Sequence, residues 1–120
     1  MGCDIHAMIE ARGKYGWVNR GDPEIDRYYA LFAVLAGVRS GSDSPEPISD
    51  PKGCPPDASS EFEAWLDSWD TDAHSTSWLT LKEMKTAEKD ILQDLVEKLE
   101  KAKLEGGSDE DVRLCFFFDN

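Results

Sequence analysis

Two short polar stretches hold the residue types that do chemistry in this chain. The first, Gly2-Cys-Asp-Ile-His-Ala-Met-Ile-Glu10, alternates as a strand does. Cys3, Ile5, Ala7 and Ile9 fall on one face, and Asp4, His6, Met8 and Glu10 on the other. A carboxylate and an imidazole thus stand side by side, opposite a face that can enter a core. The second stretch, Asp70-Thr-Asp-Ala-His-Ser-Thr-Ser77, holds His74, the only other histidine. If the fold brings the two together, Asp4, His6, Asp72 and His74 make a set of two imidazoles and two carboxylates. Such a set suits Zn, Mn or Fe with water in an open position, as in a metal-dependent hydrolase. His6 or His74 can also serve as a general base without metal. Cys3 is a poor nucleophile for His6, because alternation sends them to opposite faces. In a purely structural role, Asp4 caps backbone groups and His6 hydrogen-bonds Ser75 or Ser77. The same residues can instead line a small-ligand pocket: Asp4, His6, His74, Ser75 and Ser77, rimmed by Arg27, Arg39 and Lys52.

The elements that must position these groups follow from spacing. Arg12-Gly-Lys-Tyr-Gly16 reads as a turn and Trp17-Val18 as a returning strand, so residues 3–19 form a hairpin. Asp22-Pro-Glu24 predicts a helix start, with Ile25, Tyr28, Tyr29, Phe32, Leu35 and Ala36 at helical spacing and Gly37 as the stop. Residues 40–58 are a long Pro/Gly/Ser-rich loop without periodicity, read as ordered. Its Gly/Pro punctuation around Lys52 offers backbone N–H groups to an anion, without matching a phosphate-loop pattern. Ser60 and Glu63 read as a capping box for a short helix with Phe62, Trp65, Leu66 and Trp69 on one face. Thr80 and Glu83 form a second box, which opens a helix over 81–104 striped by Met84, Ala87, Ile91, Leu95, Leu99 and Ala102. Val112–Phe118 is β-branched and aromatic, and reads as a strand. Together these predict one α+β domain over residues 1–120. A small antiparallel sheet, made of the N-terminal hairpin and the C-terminal strand, is packed on one side by about three helices.

Charge narrows the partners. The 120 residues carry a net charge of −12, which opposes direct nucleic-acid binding. Between Lys52 and Lys82 there is no Lys or Arg, while Asp57, Glu61, Glu63, Asp67 and Asp70 all occur. This is either a solvated acidic face or an acidic surface that docks on a basic protein. The three cysteines are odd in number and widely spaced, so neither a disulfide framework nor a zinc knuckle is indicated. No apolar run approaches the roughly 20 residues of a membrane helix. The start lacks the basic-then-apolar pattern of a signal peptide, so a cytoplasmic setting is expected.

Several segments resemble a known family. They are Gly2-Cys-Asp-Ile-His6, Asp26-Arg-Tyr-Tyr-Ala-Leu-Phe32, Leu35-Ala-Gly-Val-Arg39, Pro47-Ile-Ser-Asp-Pro-Lys-Gly53 and Asp72-Ala-His-Ser-Thr-Ser-Trp-Leu-Thr-Leu81. In that order they look like a family of small, uncharacterised bacteriophage proteins that begin Met-Gly-Cys-Asp-Ile-His. Many of those relatives carry a second histidine at the position of Thr76. The resemblance implies a phage source and the cytoplasm of an infected bacterial host, and no particular reaction. Three functions stand by analogy with small accessory phage proteins. One is an inhibitor whose acidic face docks on a host defence protein, in the manner of anti-CRISPR proteins or nucleic-acid mimics. The second is a protein that sequesters a nucleotide immune signal around His6 and His74. The third is the metal-dependent hydrolase. A homo-oligomer is compatible with each, and no cofactor is expected beyond a divalent metal in the third. The charge favours the inhibitor, which makes an enzyme the lesser expectation.

Overall fold

The computed structural model describes residues 2–120. Strands β1 (Asp4–Gly13) and β2 (Gly16–Asn19) form the expected hairpin. Gly13 pairs with Gly16, which leaves Lys14 and Tyr15 at the tip. Gly16 adopts φ +120°, a conformation that favours glycine. Strand β4 (Val112–Asp119) runs antiparallel along the other side of β1, from Asp4 opposite Asp119 to Ala11 opposite Val112. A further strand, β3 (His74–Thr80), pairs with β4 and completes the order β2-β1-β4-β3. The sequence reading left β3 out. A register shift between His74 and Ser77 breaks the alternation there, and Ser75 takes φ +54°.

Helices cover both faces of the sheet, not one. On the first face, α1 (Tyr29–Ala36), α3 (Leu81–Ala87) and α4 (Gln93–Ala102) bury Phe32, Leu35, Met84, Leu95 and Leu99 against Ile9, Leu114, Phe116 and Phe118. On the second, α2 (Ser60–Trp69) lays Phe62, Trp65, Leu66 and Trp69 over Met8, Cys115 and Phe117. The near-continuous apolar run of β4 fits a strand covered on both sides.

Three expected boundaries move. Residues 22–28 are not helical: Asp22 accepts from the Glu24 N–H at 2.7 Å, and Glu24 takes φ +57°. The Asp-Pro-Glu signal thus makes a local turn, and the helix starts at Tyr29. The cap of α2 is Ser59, which accepts from Phe62 N at 3.3 Å, one residue earlier than expected. The expected helix over 81–104 is broken. Glu88 adopts a left-handed conformation and a 3-10 turn spans Asp90–Leu92 before α4 begins. An unbroken helix of that length would run about 36 Å. An eight-residue strand spans only about 27 Å, so the break lets both halves reach the sheet.

The Thr80–Glu83 box forms as expected, with Thr80 Oγ1 accepting from Glu83 N at 3.1 Å and Glu83 Oε1 accepting from Thr80 N at 3.0 Å. Thr80→Ala is expected to lower stability by about 1 kcal/mol in urea unfolding. An unchanged midpoint would mean the box contributes nothing here.

Loop 40–58 passes from the first layer to the second around the outer edge of β3. Ile48 N donates to Val34 O at 2.8 Å, and Ile48 packs on the first core. Lys52 N donates to Ser77 Oγ at 2.9 Å and Gly53 N to Thr76 O at 2.8 Å. Ala58 then packs on the second core. The N–H groups considered for an anion are thus spent on covering an edge strand.

Candidate functional site

The sheet register decides where the imidazoles go. His6 lies opposite Phe117, and His74 opposite Phe118. Cross-strand partners share a face, and neighbours along a strand do not. His6 and His74 therefore sit at the same end of the sheet but on opposite faces. The His6 ring stacks on Phe117 at 5.1 Å and packs against Trp65 and Trp69 of α2. The His74 ring stacks on Phe118 at 6.1 Å. The shared pocket expected of the two is not formed.

Each candidate ligand has another engagement. His6 Nε2 bonds Asp119 Oδ2 at 2.5 Å, rather than Ser75 or Ser77. Asp4 takes a bidentate pair from Arg27, both bonds 2.9 Å, rather than capping backbone groups. That guanidinium holds the Asp4 carboxyl below its usual value. It lies against Gly2, where a Cβ would collide with it. His74 bonds Ser75 Oγ at 3.0 Å and Asn120 Oδ1 at 3.1 Å. Asp72 lies exposed in a 3-10 turn. Among the described residues, no three His, Cys, Asp or Glu side chains are grouped to hold a metal ion. Arg39 packs over Tyr29 at 5.3 Å, while Lys52 and Ser77 meet at the β3 edge. The eight pocket candidates are therefore spread over several places.

Thiol chemistry is also disfavoured. Burial pushes the Cys3 and Cys115 thiols up, with Arg39 opposing it at Cys3 and the Glu10 carboxylate adding to it at Cys115. Partial desolvation raises Cys54 as well. Cys3 enters the first core and His6 the second layer, as the alternation predicts.

The polar face of β1 leads instead to residues the sequence reading passed over. Glu10 is 0% exposed and Arg113 2%. Glu10 Oε1 accepts from Arg113 Nε at 2.8 Å and from Cys115 Sγ at 3.2 Å, and Oε2 accepts from Ser59 N at 2.8 Å. Burial raises the Glu10 carboxyl, but the bonds from Ser59, Arg113 and Cys115 outweigh it and hold the group below its usual value. Arg113 Nη1 donates to Asp57 Oδ1 at 3.0 Å, and Trp17 Nε1 donates to Asp57 Oδ2 at 3.0 Å. The Arg113 guanidinium lies 3.8 Å from the Trp17 ring and 5.4 Å from that of Trp78. Lys52 Nζ caps Trp78 at 4.0 Å and Arg12 caps Trp17 at 5.3 Å. Cation and indole alternate across the sheet. One signal for this was legible: Arg113 is the sole charge inside Val112–Phe118.

The acids of α2 divide. Glu61, Glu63 and Asp67 of α2 and Asp70, its C-cap, are exposed, whereas Phe62 between the first two is buried. None forms an ion pair with a described residue. Asp57, expected on the same face, is held by Arg113 and Trp17. By contrast, Glu83, Glu100, Asp109 and Glu110 are each paired with a lysine. Comparison with protein-family models, curated protein sequences and solved structures finds no match to this chain. No described helix is long and apolar enough to cross a membrane.

Proposed function

We propose that this chain is a docking protein that sets the acidic outer face of α2 against a basic surface on a protein partner. The observation that carries the reading is the unneutralised charge of Glu61, Glu63, Asp67 and Asp70. Around α3 and α4 lysines pair with Glu83, Asp94, Glu100, Asp109 and Glu110 and leave Glu88, Asp90 and Glu97 without one, whereas none of the acids along α2 and its C-cap meets a counter-charge among the described residues. They stand on, or just beyond the end of, a helix whose inner face is anchored by three large rings, so a partner can engage them without disturbing the core. The likeness to phage proteins extends the proposal: the partner is a host defence protein, met in the cytoplasm of the infected cell. An acidic helix face would then compete for a surface that binds nucleic acid.

The test is charge reversal in place. Glu61→Lys with Asp67→Lys should leave the thermal melt unchanged. It should also abolish the ability of the gene to restore phage growth on a host panel carrying individual defence systems. With a partner from that panel in hand, association should slow about tenfold or more and lose its salt dependence. Full protection by the reversed protein would reject the acidic face. If changes at His6, Arg39 or His74 alone abolished protection, sequestration of a small signal would replace this reading.

A further inference from the structure

We infer that the outer edge of β2 is a self-association surface, along which a second copy of this chain pairs antiparallel and joins two four-stranded sheets into one. The edge shares no residue with the docking face proposed for α2. Of the two outer strands of the sheet, β3 is covered by loop 40–58, and β2 is not. Arg20 N donates to Ile9 O at 2.7 Å. Inward and outward residues alternate along an antiparallel strand, so Val18 and Gly16 also face β1. Trp17 and Asn19 therefore turn their backbone N–H and C=O groups outward, where no described residue pairs with them. Such an edge is a template for another strand. Apolar side chains stand along it: Val18 is 43% exposed, and Tyr15 at the hairpin tip 93%. A Cβ at Gly16 or Gly21 would meet nothing within 4 Å, so the space around both ends of β2 is open.

Register and charge select the occupant. One self-pairing alone uses both outward residues without reaching beyond β2: Trp17 with the partner's Asn19, and Asn19 with the partner's Trp17. Each pair exchanges two hydrogen bonds. Val18 then lies opposite the partner's Val18 as a non-hydrogen-bonded pair, where side chains come closest. Two exposed β-branched groups cover each other. At each end Lys14 comes toward the partner's Asp22. Neither residue has an ion-pair partner among the described residues of its own chain. A net charge of −12 on each copy opposes contact through an acidic face, but residues 11–21 hold Arg12, Lys14 and Arg20 and no acid. Antiparallel pairing sends the two cationic tips in opposite directions. With β3 covered, each copy offers one edge, and the assembly closes at two. The contact is small and belongs with weak, transient interfaces, at a Kd of roughly 0.1–1 mM.

Sedimentation equilibrium of the intact protein up to about 2 mM tests the surface. A monomer–dimer equilibrium is expected, with no larger species. Amide exchange at Trp17 and Asn19 should slow as concentration rises, whereas that at Val18, already bonded to β1, should not. Val18→Lys sets two ammonium groups face to face and should weaken the dimer about tenfold or more, with the thermal melt unchanged. Lys14→Glu, set against the partner's Asp22, should weaken it about threefold or more. Val18→Ile keeps the apolar contact and should dimerise at least as tightly as the wild type. Monomer alone at the highest concentration overturns the inference. So does association that continues past two, a dimer undiminished by Val18→Lys or Lys14→Glu, or exchange at Trp17 and Asn19 that ignores concentration.

Discussion

Arg113→Ala is expected to cost about 3–5 kcal/mol, because it strands the fully buried Glu10 carboxylate without its counter-charge. Glu10 is 0% exposed, and its Oε1 accepts a hydrogen bond from Arg113 Nε and lies 2.7 Å from Nη2 of the same guanidinium. Its remaining donors, Ser59 N and the Cys115 thiol, are neutral. Replacing both partners should behave differently: Glu10→Leu with Arg113→Met removes the buried charges together and should recover most of the loss. Urea unfolding of the single and double variants separates an unpaired charge from lost packing. Acid adds a second signature. The folded Glu10 carboxyl is held below its usual value, so the unfolded chain takes up the proton more readily. The stabilisation is complete above the ordinary glutamate range and is lost as pH falls through the folded value. The wild type should weaken on acidification more steeply than the double variant. Parallel pH profiles would mean that Glu10 and Arg113 do not stabilise the fold as an ion pair.

Leu95→Ala should cost about 2–5 kcal/mol through lost transfer energy and the cavity left behind. Leu95 is 3% exposed on α4, within the first core. Arg113 belongs to the opposite face, and the two have no partner in common. Their effects should therefore add in the double variant within about 0.5 kcal/mol. A clear departure from additivity would show that the two layers respond as one unit through β4.

Much of this architecture was legible where chemistry is local. Gly13 and Gly16 marked the hairpin, Thr80 and Glu83 marked a helix start, and the apolar run at 112–118 marked a strand. The alternation of β1 also put Asp4, His6 and Glu10 on one face correctly. What failed was long-range. The bulge at Ser75 hid β3, and without β3 nothing placed His74 on the face opposite His6. Asp22-Pro-Glu24 has the same composition in a turn as at a helix start, and only tertiary context chose between them. The Glu10–Arg113 pair joins residues 103 positions apart, beyond any window of spacing.

The central pairing of β1 with β4 fixes the order in which this protein can be made. His6 and Asp119 are bonded across 113 positions, and both cores are built on β4. Neither layer has its full floor until β4 has been made. During synthesis, α1 and α2 emerge with Phe32, Phe62 and Trp65 facing only the β1–β2 hairpin, without the β4 rings they pack on. Contacts of such separation slow folding, and the exposed rings are an aggregation hazard in the interval. The net charge of −12 acts against that hazard, because like-charged copies repel one another.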